Sequence, residues 1–192
     1  MRNGLPITKI NSKHSSMSSL ISIADDKKFA LSNQFFSYVF QITDEGLLEH
    51  IYYGTPLKQP LDVSPQHQPI ERGLTTHFEG IKHLNLNELP QEYPAYGRSD
   101  YRYPAFHGRN ADGNSVFSLH YKSHTISKTK KALTDLPIVR GGGCEQLIVT
   151  LEDRLYGLDV DLIYTVYEHH GVLVRSAAVS YTHLTLPTIL LV

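Results

Sequence analysis

Pairs of carboxylates are the side chains of this sequence that could most directly act as a nucleophile and a general acid. Asp159 and Asp161 stand two residues apart in a segment of alternating polarity, so on a strand both side chains point to one face. Retaining glycosidases need two carboxyl groups about 5–5.5 Å apart, and this spacing approaches that separation. The same pattern is typical of the solvent-facing side of an antiparallel strand, which is the interpretation we favour. Two adjacent acidic pairs would point to opposite faces of a strand: Asp25-Asp26 and Glu152-Asp153.

Histidine and cysteine spacing argues against a metal site. His120 and His124 fall on one face of a predicted strand, but four strand residues separate them by about 13 Å, too far to share one ion. Cys144 is the only cysteine, so neither a cysteine-based metal site nor an internal disulfide can form. The glycines at 141–143 lack the Lys-Ser/Thr of a phosphate loop, and Ser176 lacks the glycines of a nucleophile elbow. We therefore predict no metal and no cofactor.

Residues 89–106 combine backbone-fixing residues with rings and charges. Three prolines and one glycine impose extended segments and turns, so this stretch is not a helix. Polar-tipped rings beside fixed charges suit a surface that binds sugar hydroxyls or another domain, since loops often carry function. The alternative is a connector whose tyrosines cover a sheet. The rings and charges are Glu92, Tyr93, Tyr96, Arg98, Asp100, Tyr101, Arg102 and Tyr103.

Alternation of apolar and polar residues predicts the strands that position these side chains. Residues 36–42 alternate, a turn containing Gly46 follows, and residues 47–53 return as the partner of a hairpin. Residues 117–126 form another strand, and residues 147–178 form a meander with turns at 154–157 and 169–171. Strands at short spacing without a helical period indicate an all-β fold, an antiparallel β-sandwich with long loops.

Length, composition and charge limit the number of domains and the kinds of partner. A chain of 192 residues with 41% apolar residues suits one domain with a sizeable core. The net charge of −1 gives no field that favours nucleic acid or an anionic membrane. No apolar run approaches the roughly 20 residues that cross a bilayer, and no signal-peptide pattern is visible. With one cysteine, these features predict a cytoplasmic protein.

Two motifs of the chain read Leu-Glu-His-Ile-Tyr-Tyr-Gly at residues 48–54 and Pro-Gln-Glu-Tyr-Pro-Ala-Tyr-Gly-Arg-Ser-Asp-Tyr-Arg-Tyr-Pro-Ala at residues 90–105. They resemble, in this order, a strand and the signature of the amino-terminal domain of bacterial α-galactosidases, family 36 of the glycoside hydrolases. Residues 150–153, residues 158–168 and the Arg-Ser-Ala at 175–177 resemble later strands. The resemblance covers about residues 20–178, and it is carried by several motifs rather than one.

The resemblance implies a function that this chain shares only in part. Family members have an amino-terminal β-supersandwich, a (β/α)8 barrel with two catalytic aspartates, and a small β domain. They hydrolyse terminal α-galactosides such as melibiose and raffinose by a retaining mechanism without a metal or organic cofactor. The barrel is absent here, so we expect the fragment to carry no catalytic residue and to be inactive alone. The implied partners are the missing barrel, α-galactoside sugars and, in the full-length enzyme, further copies of the subunit.

Five residues are the candidate substrate-binding set. The long, irregular segment 55–86 contains Asp62 and Arg72, which fall roughly where the resembled family places polar residues that contact sugar. Solvated loop charges are the competing interpretation of these two. Arg98, Asp100 and Arg102 are our candidates for the domain junction or the mouth of the sugar site, because charges in a frame of tyrosine and proline suit an interface.

Both ends of the chain are predicted to lie outside the domain. Residues 1–19 are polar, without hydrophobic period, and predict a disordered extension; we expect Met17 to be the true start. Residues 179–188 can be written as the codons GTC TCT TAT ACA CAT CTG ACG CTG CCG ACG, which resemble a sequencing adapter read in frame. We therefore interpret residues 179–192 as a non-native tail and residues 20–178 as the truncated β-sandwich. The alternative interpretation of the tail is a genuine apolar strand.

Two further hypotheses compete with the fragment of an α-galactosidase. A free-standing carbohydrate-binding β-sandwich would use its tyrosines as a platform and bind galactosides without a partner domain. A purely structural β domain would have no ligand contact. A large exposed apolar patch would favour the fragment over both.

Overall fold

The computed structural model describes residues 19–66, 81, 84–130 and 142–181. These residues form eight strands in two four-stranded antiparallel sheets. In the first sheet the strands run in chain order: β1 (Ile21–Ala24), β2 (Lys28–Ser32), β3 (Ser37–Ile42) and β4 (Leu48–Gly54). In the second sheet the strands also run in chain order: β5 (His120–Ser127), β6 (Cys144–Asp153), β7 (Leu158–Tyr167) and β8 (Leu173–Tyr181).

The main hydrophobic core lies between the two sheets. It combines alternate residues of β2 and β3 with alternate residues of β6 and β7, and the rings of Phe40 and Tyr164 stack across it at 5.2 Å. Stacked and edge-on aromatic pairs of this kind add to the stabilisation that burial provides. A second, smaller cluster of four leucines lies outside the sandwich: Leu47, Leu84, Leu86 and Leu89. The all-β sandwich predicted from the sequence is confirmed.

The predicted hairpins are present, with small shifts at their ends. Gly46 closes the β3–β4 turn at φ 81°, and Gly157 closes the β6–β7 turn at φ 63°, in the left-handed region that glycine adopts without a steric cost. The strand expected from residue 117 begins three residues later, at His120. Val172 was predicted to open the last strand and Ala178 to close it, whereas β8 runs from Leu173 to Tyr181. Asp25 and Asp26 lie in the β1–β2 turn, at φ 51° and 53°, and not on a strand.

A β-bulge corrects one prediction. The register of β5 against β6 shifts between Tyr121 and Ser123, so Lys122 is an extra residue in the strand. His120 is opposite Glu152 and His124 is opposite Val149, which places the two histidines on opposite faces. The prediction that they share a face is wrong, because strict alternation fails at a bulge.

Several sequence predictions concern residues outside the described ranges. They are the disordered extension up to residue 18, half of the loop 55–86 including Arg72, and the tail beyond residue 181. Within the described part of the chain, no helix is long and apolar enough to cross a membrane.

Candidate functional site

The segment between Pro90 and His107, called here the tyrosine loop, is folded back on itself. Ala105 N donates a hydrogen bond to Pro94 O at 2.8 Å, and Tyr96 N donates one to Phe106 O at 2.9 Å, which closes the neck of the loop. At its base, His50 N donates to Pro90 O and Glu92 N donates to Leu48 O, so the loop also pairs with the outer edge of β4. The base of the segment is therefore attached to the first sheet through β4.

The turn at the tip of this loop has an unusual backbone. Gly97, Arg98 and Ser99 all have positive φ, at 100°, 55° and 68°, and Asp100 N bonds back to Gly97 O. A Cβ atom added to Gly97 would also lie 2.9 Å from the Val116 side chain. Both the positive φ and this close contact therefore favour glycine at this position. Left-handed conformations cost about 1–2 kcal/mol at a non-glycine residue, so the contacts around Arg98 and Ser99 must hold the turn in place.

Asp100 and Arg102 supply those contacts. The Asp100 carboxylate is 2% exposed and accepts from Arg102 Nε and Nη2 at 2.9 Å each, from Arg102 N at 3.1 Å and from Gln91 Nε2 at 2.6 Å. Arg102 also donates to Leu86 O. Two parallel bonds between a guanidinium and a carboxylate are strong and directional. This pair fastens the turn to the leucine cluster beneath it.

The tyrosines of the loop face outward. Tyr101 is 80% exposed and Tyr103 is 97% exposed. Together with Tyr96, whose ring lies 4.6 Å from that of His107, they border an open groove of about 800 Å³. These rings border one groove and are not scattered singly, so they form a surface suited to contact with another molecule or domain.

The other end of the loop is a buried charge cluster centred on Glu92, called here the Glu92 cluster. Its carboxylate is 2% exposed. It accepts hydrogen bonds from Tyr38 Oη at 2.5 Å and Tyr164 Oη at 3.0 Å, and it forms an ion pair with Arg175 Nη2 at 2.7 Å. His50 Nδ1 lies 3.2 Å from the second carboxylate oxygen. These partners come from β3, β4, β7 and β8, so one side chain joins both sheets of the sandwich.

Arg175 closes the Glu92 cluster from the solvent side. Its guanidinium lies over the rings of Tyr38 and Tyr164 at 5.7 and 5.5 Å, in cation–π geometry. Burial, and then the negative charge of Glu92, raise the pKa of both tyrosines above the ordinary value. Both hydroxyls therefore remain protonated donors at neutral pH. In the sequence, His50 and Arg175 stand out only within motifs and Glu92 only among the charges of residues 89–106, and no sequence signal brings the three together.

The five predicted site residues fall into separate places. Asp100 and Arg102 form one pair, whereas Arg98 lines a different cavity, of about 560 Å³, beside the β3–β4 turn and His120. Asp62 lies on a short 3-10 turn, Pro60–Asp62, which packs against β1, β2 and β3. Arg72 lies outside the described residues. The structure thus joins two of the five, and contact of any of them with sugar stays a prediction.

The carboxylates considered for catalysis have partners within the domain. Lys122 Nζ binds Asp159 at 2.7 Å, and Thr150 Oγ1 donates to Asp161 at 2.7 Å. Asp153 is buried and accepts three backbone N–H groups, those of Ser118, Leu155 and Tyr156. In the described part of the chain, no three His, Cys, Asp or Glu residues are grouped so that they could hold a metal ion.

Comparison with known sequences gives a family match. The sequence model described as "Glycosyl hydrolase family 36 N-terminal domain" matches residues 46–186. Alpha-galactosidase Mel36A of Lactobacillus acidophilus is 36% identical over 168 residues, which are 84% of this chain and 23% of that protein. Alpha-galactosidase AgaA of Geobacillus stearothermophilus is 37% identical over 164 residues, 79% of this chain and 21% of that protein. The chain spans about a fifth of the length of these curated relatives.

Solved structures give the same result. The family 36 alpha-galactosidase AgaB of Geobacillus stearothermophilus matches with a TM-score of 0.77 and 35% identity, over 84% of this chain and 22% of that chain. A variant of AgaA from the same organism, solved in complex with raffinose, matches with a TM-score of 0.75 and 35% identity. The match covers 81% of this chain and 22% of that chain. In both, the similarity covers this sandwich and a minor part of the relative.

Proposed function

The chain belongs to the glycosyl hydrolase family 36 N-terminal domain family, and from that premise we propose that it is the non-catalytic N-terminal part of an α-galactosidase. The enzyme would hydrolyse terminal α-galactosides such as melibiose and raffinose with retention of configuration. One observation carries the proposal: the match is to an N-terminal domain, and the chain aligns with 21–23% of the first relatives. The catalytic barrel would lie in the part that this chain does not align with.

The role proposed for this domain is to make contacts. It would pack against the barrel, take part in subunit assembly, and lend loop residues to the mouth of the sugar site. The tyrosine loop supports this role, because its base is fastened inside the domain while Tyr101 and Tyr103 project from it. Tyrosine is one of the residue types enriched at the energetically important positions of protein interfaces.

The carboxylates of the described residues support the proposal that the domain does no chemistry. A retaining glycosidase needs one free nucleophilic carboxylate and one acid about 5–5.5 Å away. Asp159 and Asp161 are instead engaged by Lys122 and Thr150, and Asp153 caps a turn. We propose that the chain alone is inactive.

Arg98, Arg102, Asp62 and Arg72 remain our proposed contacts with the barrel, a neighbouring subunit or sugar. Asp100 would act indirectly, by holding Arg102 and the turn that carries Arg98. We also propose a cytoplasmic location, because one cysteine in the sequence indicates a domain that does not depend on disulfides.

A free-standing carbohydrate-binding module is the second candidate function. It is favoured by the groove beside Tyr96, Tyr101 and Tyr103, since aromatic rings can stack on the apolar face of a sugar. This candidate predicts that the isolated chain binds a galactoside saturably. The proposal of a contact domain predicts that it does not.

A chimaeric enzyme tests the proposed function. Residues 19–181 would replace the matching N-terminal segment of Geobacillus stearothermophilus AgaA, and raffinose hydrolysis would be measured for the chimaera, for AgaA without its segment, and for this chain alone. We expect activity in the chimaera alone. Raffinose hydrolysis by the isolated chain would overturn the proposal, as would saturable raffinose binding in calorimetry with no activity in a folded chimaera.

A further inference from the structure

We propose that Ser118 and His120 form a nucleophile–base pair that takes an acyl group from activated esters. Ser118 Oγ lies 2.8 Å from His120 Nε2, and both residues are half-buried. A hydroxyl within hydrogen-bond reach of a base that a third group orients is the arrangement that activates a serine. The inference concerns acyl groups, which are separate from the glycosidic bonds of the relatives' substrates, and it does not rest on the proposed function.

The group that orients the base is the backbone carbonyl of Glu45, in the β3–β4 turn. His120 Nδ1 lies 3.0 Å from Glu45 O. Because a carbonyl oxygen can only accept, Nδ1 carries the proton, and in a neutral imidazole Nε2 is then the acceptor. The Ser118 hydroxyl therefore donates to Nε2, which is the direction in which a base removes the proton of an attacking serine.

Backbone hydrogen bonds hold the pair in place from two sides. Ser118 N donates to Asp153 Oδ2 at 2.8 Å, and the carboxylate of the buried Asp153 also accepts two backbone N–H groups of the β6–β7 turn. Tyr121 N donates to Gly46 O at 2.8 Å, which keeps the β3–β4 turn against His120. The positions of nucleophile and base are therefore set before any acyl donor arrives, as efficient attack requires.

The pair lines the cavity of about 560 Å³ beside the β3–β4 turn, and every residue that lines it lies within Asp44–Leu155. Small-molecule sites typically measure about 300–1,000 Å³, so an acyl donor has room there. Val116 and Phe117 give the cavity an apolar wall that suits a short acyl chain. Arg154, whose side chain is 82% exposed, also lines it. A guanidinium near the attacked carbonyl would offset the negative charge that forms on its oxygen.

The proposed step transfers one acyl group and changes no oxidation state. Ser118 Oγ forms a bond to the carbonyl carbon of the ester while its proton passes to His120 Nε2. The bond between that carbon and the leaving oxygen then breaks, and the leaving alcohol or phenol takes the proton from Nε2. The products are an acyl-serine and a free alcohol or phenol, and water can release the acyl group by the same steps.

The ester 4-nitrophenyl acetate tests the proposal on the full 192-residue chain. Release of nitrophenol gives the rate, and peptide mass spectrometry locates the acetyl group. We expect the acetyl group on Ser118 in the folded chain and not in the chain unfolded in urea. Ser118→Ala should lower the rate to that of the unfolded chain. His120→Gln can still donate to Glu45 O but cannot take a proton, so it should lower the rate at least about tenfold, since a general base contributes about 10²–10⁴-fold.

His124→Gln is the matched control. His124 lies on the same strand and also bonds a hydroxyl, Tyr121 Oη, at 2.7 Å, and its substitution should leave the acetylation rate of Ser118 unchanged. A purely structural role of His120 predicts that His120→Gln lowers the free energy of unfolding without changing that rate, and this result would overturn the proposal. Acetylation confined to residues other than Ser118 would also overturn it, as would acetylation of Ser118 that persists in urea.

Discussion

The two ends of the tyrosine loop differ in where their side chains find partners. At the base, Glu92 is buried and meets Tyr38, Tyr164, Arg175 and His50, all within the domain. At the tip, Tyr101 and Tyr103 are almost bare. One stretch of sequence therefore does two jobs. Its charged base joins the two sheets of the sandwich, and its aromatic tip has the exposure that the proposed contact with the rest of the enzyme requires.

The largest expected loss in the free energy of unfolding comes from a substitution at the base of the tyrosine loop. Glu92→Ala removes the acceptor of two tyrosine hydroxyls and the partner of Arg175, and should cost about 2–4 kcal/mol in the free energy of unfolding. Removing one partner of a buried pair typically costs about 3–5 kcal/mol, and Arg175, at 45% exposure, recovers part of its hydration. Urea unfolding measures the loss. A cost below about 1 kcal/mol would mean that the Glu92 cluster does not join the sheets.

Glu92→Gln sharpens the same prediction. The amide oxygen can still accept from a tyrosine, but the charge that pairs with Arg175 is gone. We expect a loss smaller than that of Glu92→Ala. Equal losses for the two variants would show that the shape of the side chain, and not its charge, supports the two sheets.

A smaller effect is expected in the middle of the loop. Asp100→Asn weakens the paired bonds to Arg102 and should cost about 1–3 kcal/mol, because bonds to buried charged groups contribute on that scale. The exposed pair of Lys27 with Asp44 is the matched control, and Asp44→Asn should give no measurable change. If the two variants behave alike, Asp100 does not hold the turn.

Alkaline pH should weaken the Glu92 cluster at the base of the tyrosine loop. Burial raises the folded-state pKa of Tyr38 and Tyr164 above the ordinary value near 10, so their contribution is complete below pH 10 and is lost as the pH rises above it. Each adds up to about 1.4 kcal/mol per pH unit to the slope of unfolding free energy. Tyr38→Phe should make this slope shallower than that of the unsubstituted chain between pH 10 and 11. An unaltered slope in Tyr38→Phe would contradict the protonated state of the Glu92 cluster.

How much was predictable differs between the strands and the loop. Alternation and glycine turns predicted β3, β4, β6, β7 and β8, because period-two burial shows directly in sequence. The sequence did not predict that His120 and His124 lie on opposite faces of β5, because no residue type marks the position of a bulge. The turn at Asp25 and Asp26 was also missed, although aspartate is a turn residue that tolerates the left-handed conformation.

The candidate site was predictable as a segment but not as an arrangement. Proline, glycine and tyrosine content identified the loop and its charges. Which charges are satisfied within the domain depends on contacts distant in sequence, such as Glu92 with Tyr164 and Arg175. A sequence pattern carries no distance between such residues. Asp100 was predicted as a candidate contact residue, whereas its buried carboxylate binds Arg102 and Gln91.

The most direct test of the account compares the exposed tip with an equally exposed residue elsewhere. The double variant Tyr101→Ser with Tyr103→Ser, and the control Leu155→Ser, would be placed in the chimaera with Geobacillus stearothermophilus AgaA; Leu155 is 80% exposed, as is Tyr101. We predict unchanged urea unfolding of both isolated chains, and a loss of at least about tenfold in raffinose kcat/KM or in assembly for the tyrosine variant alone, a factor that corresponds to 1.4 kcal/mol. Equal behaviour of the two variants would contradict the claim that the tip exists to contact the rest of the enzyme.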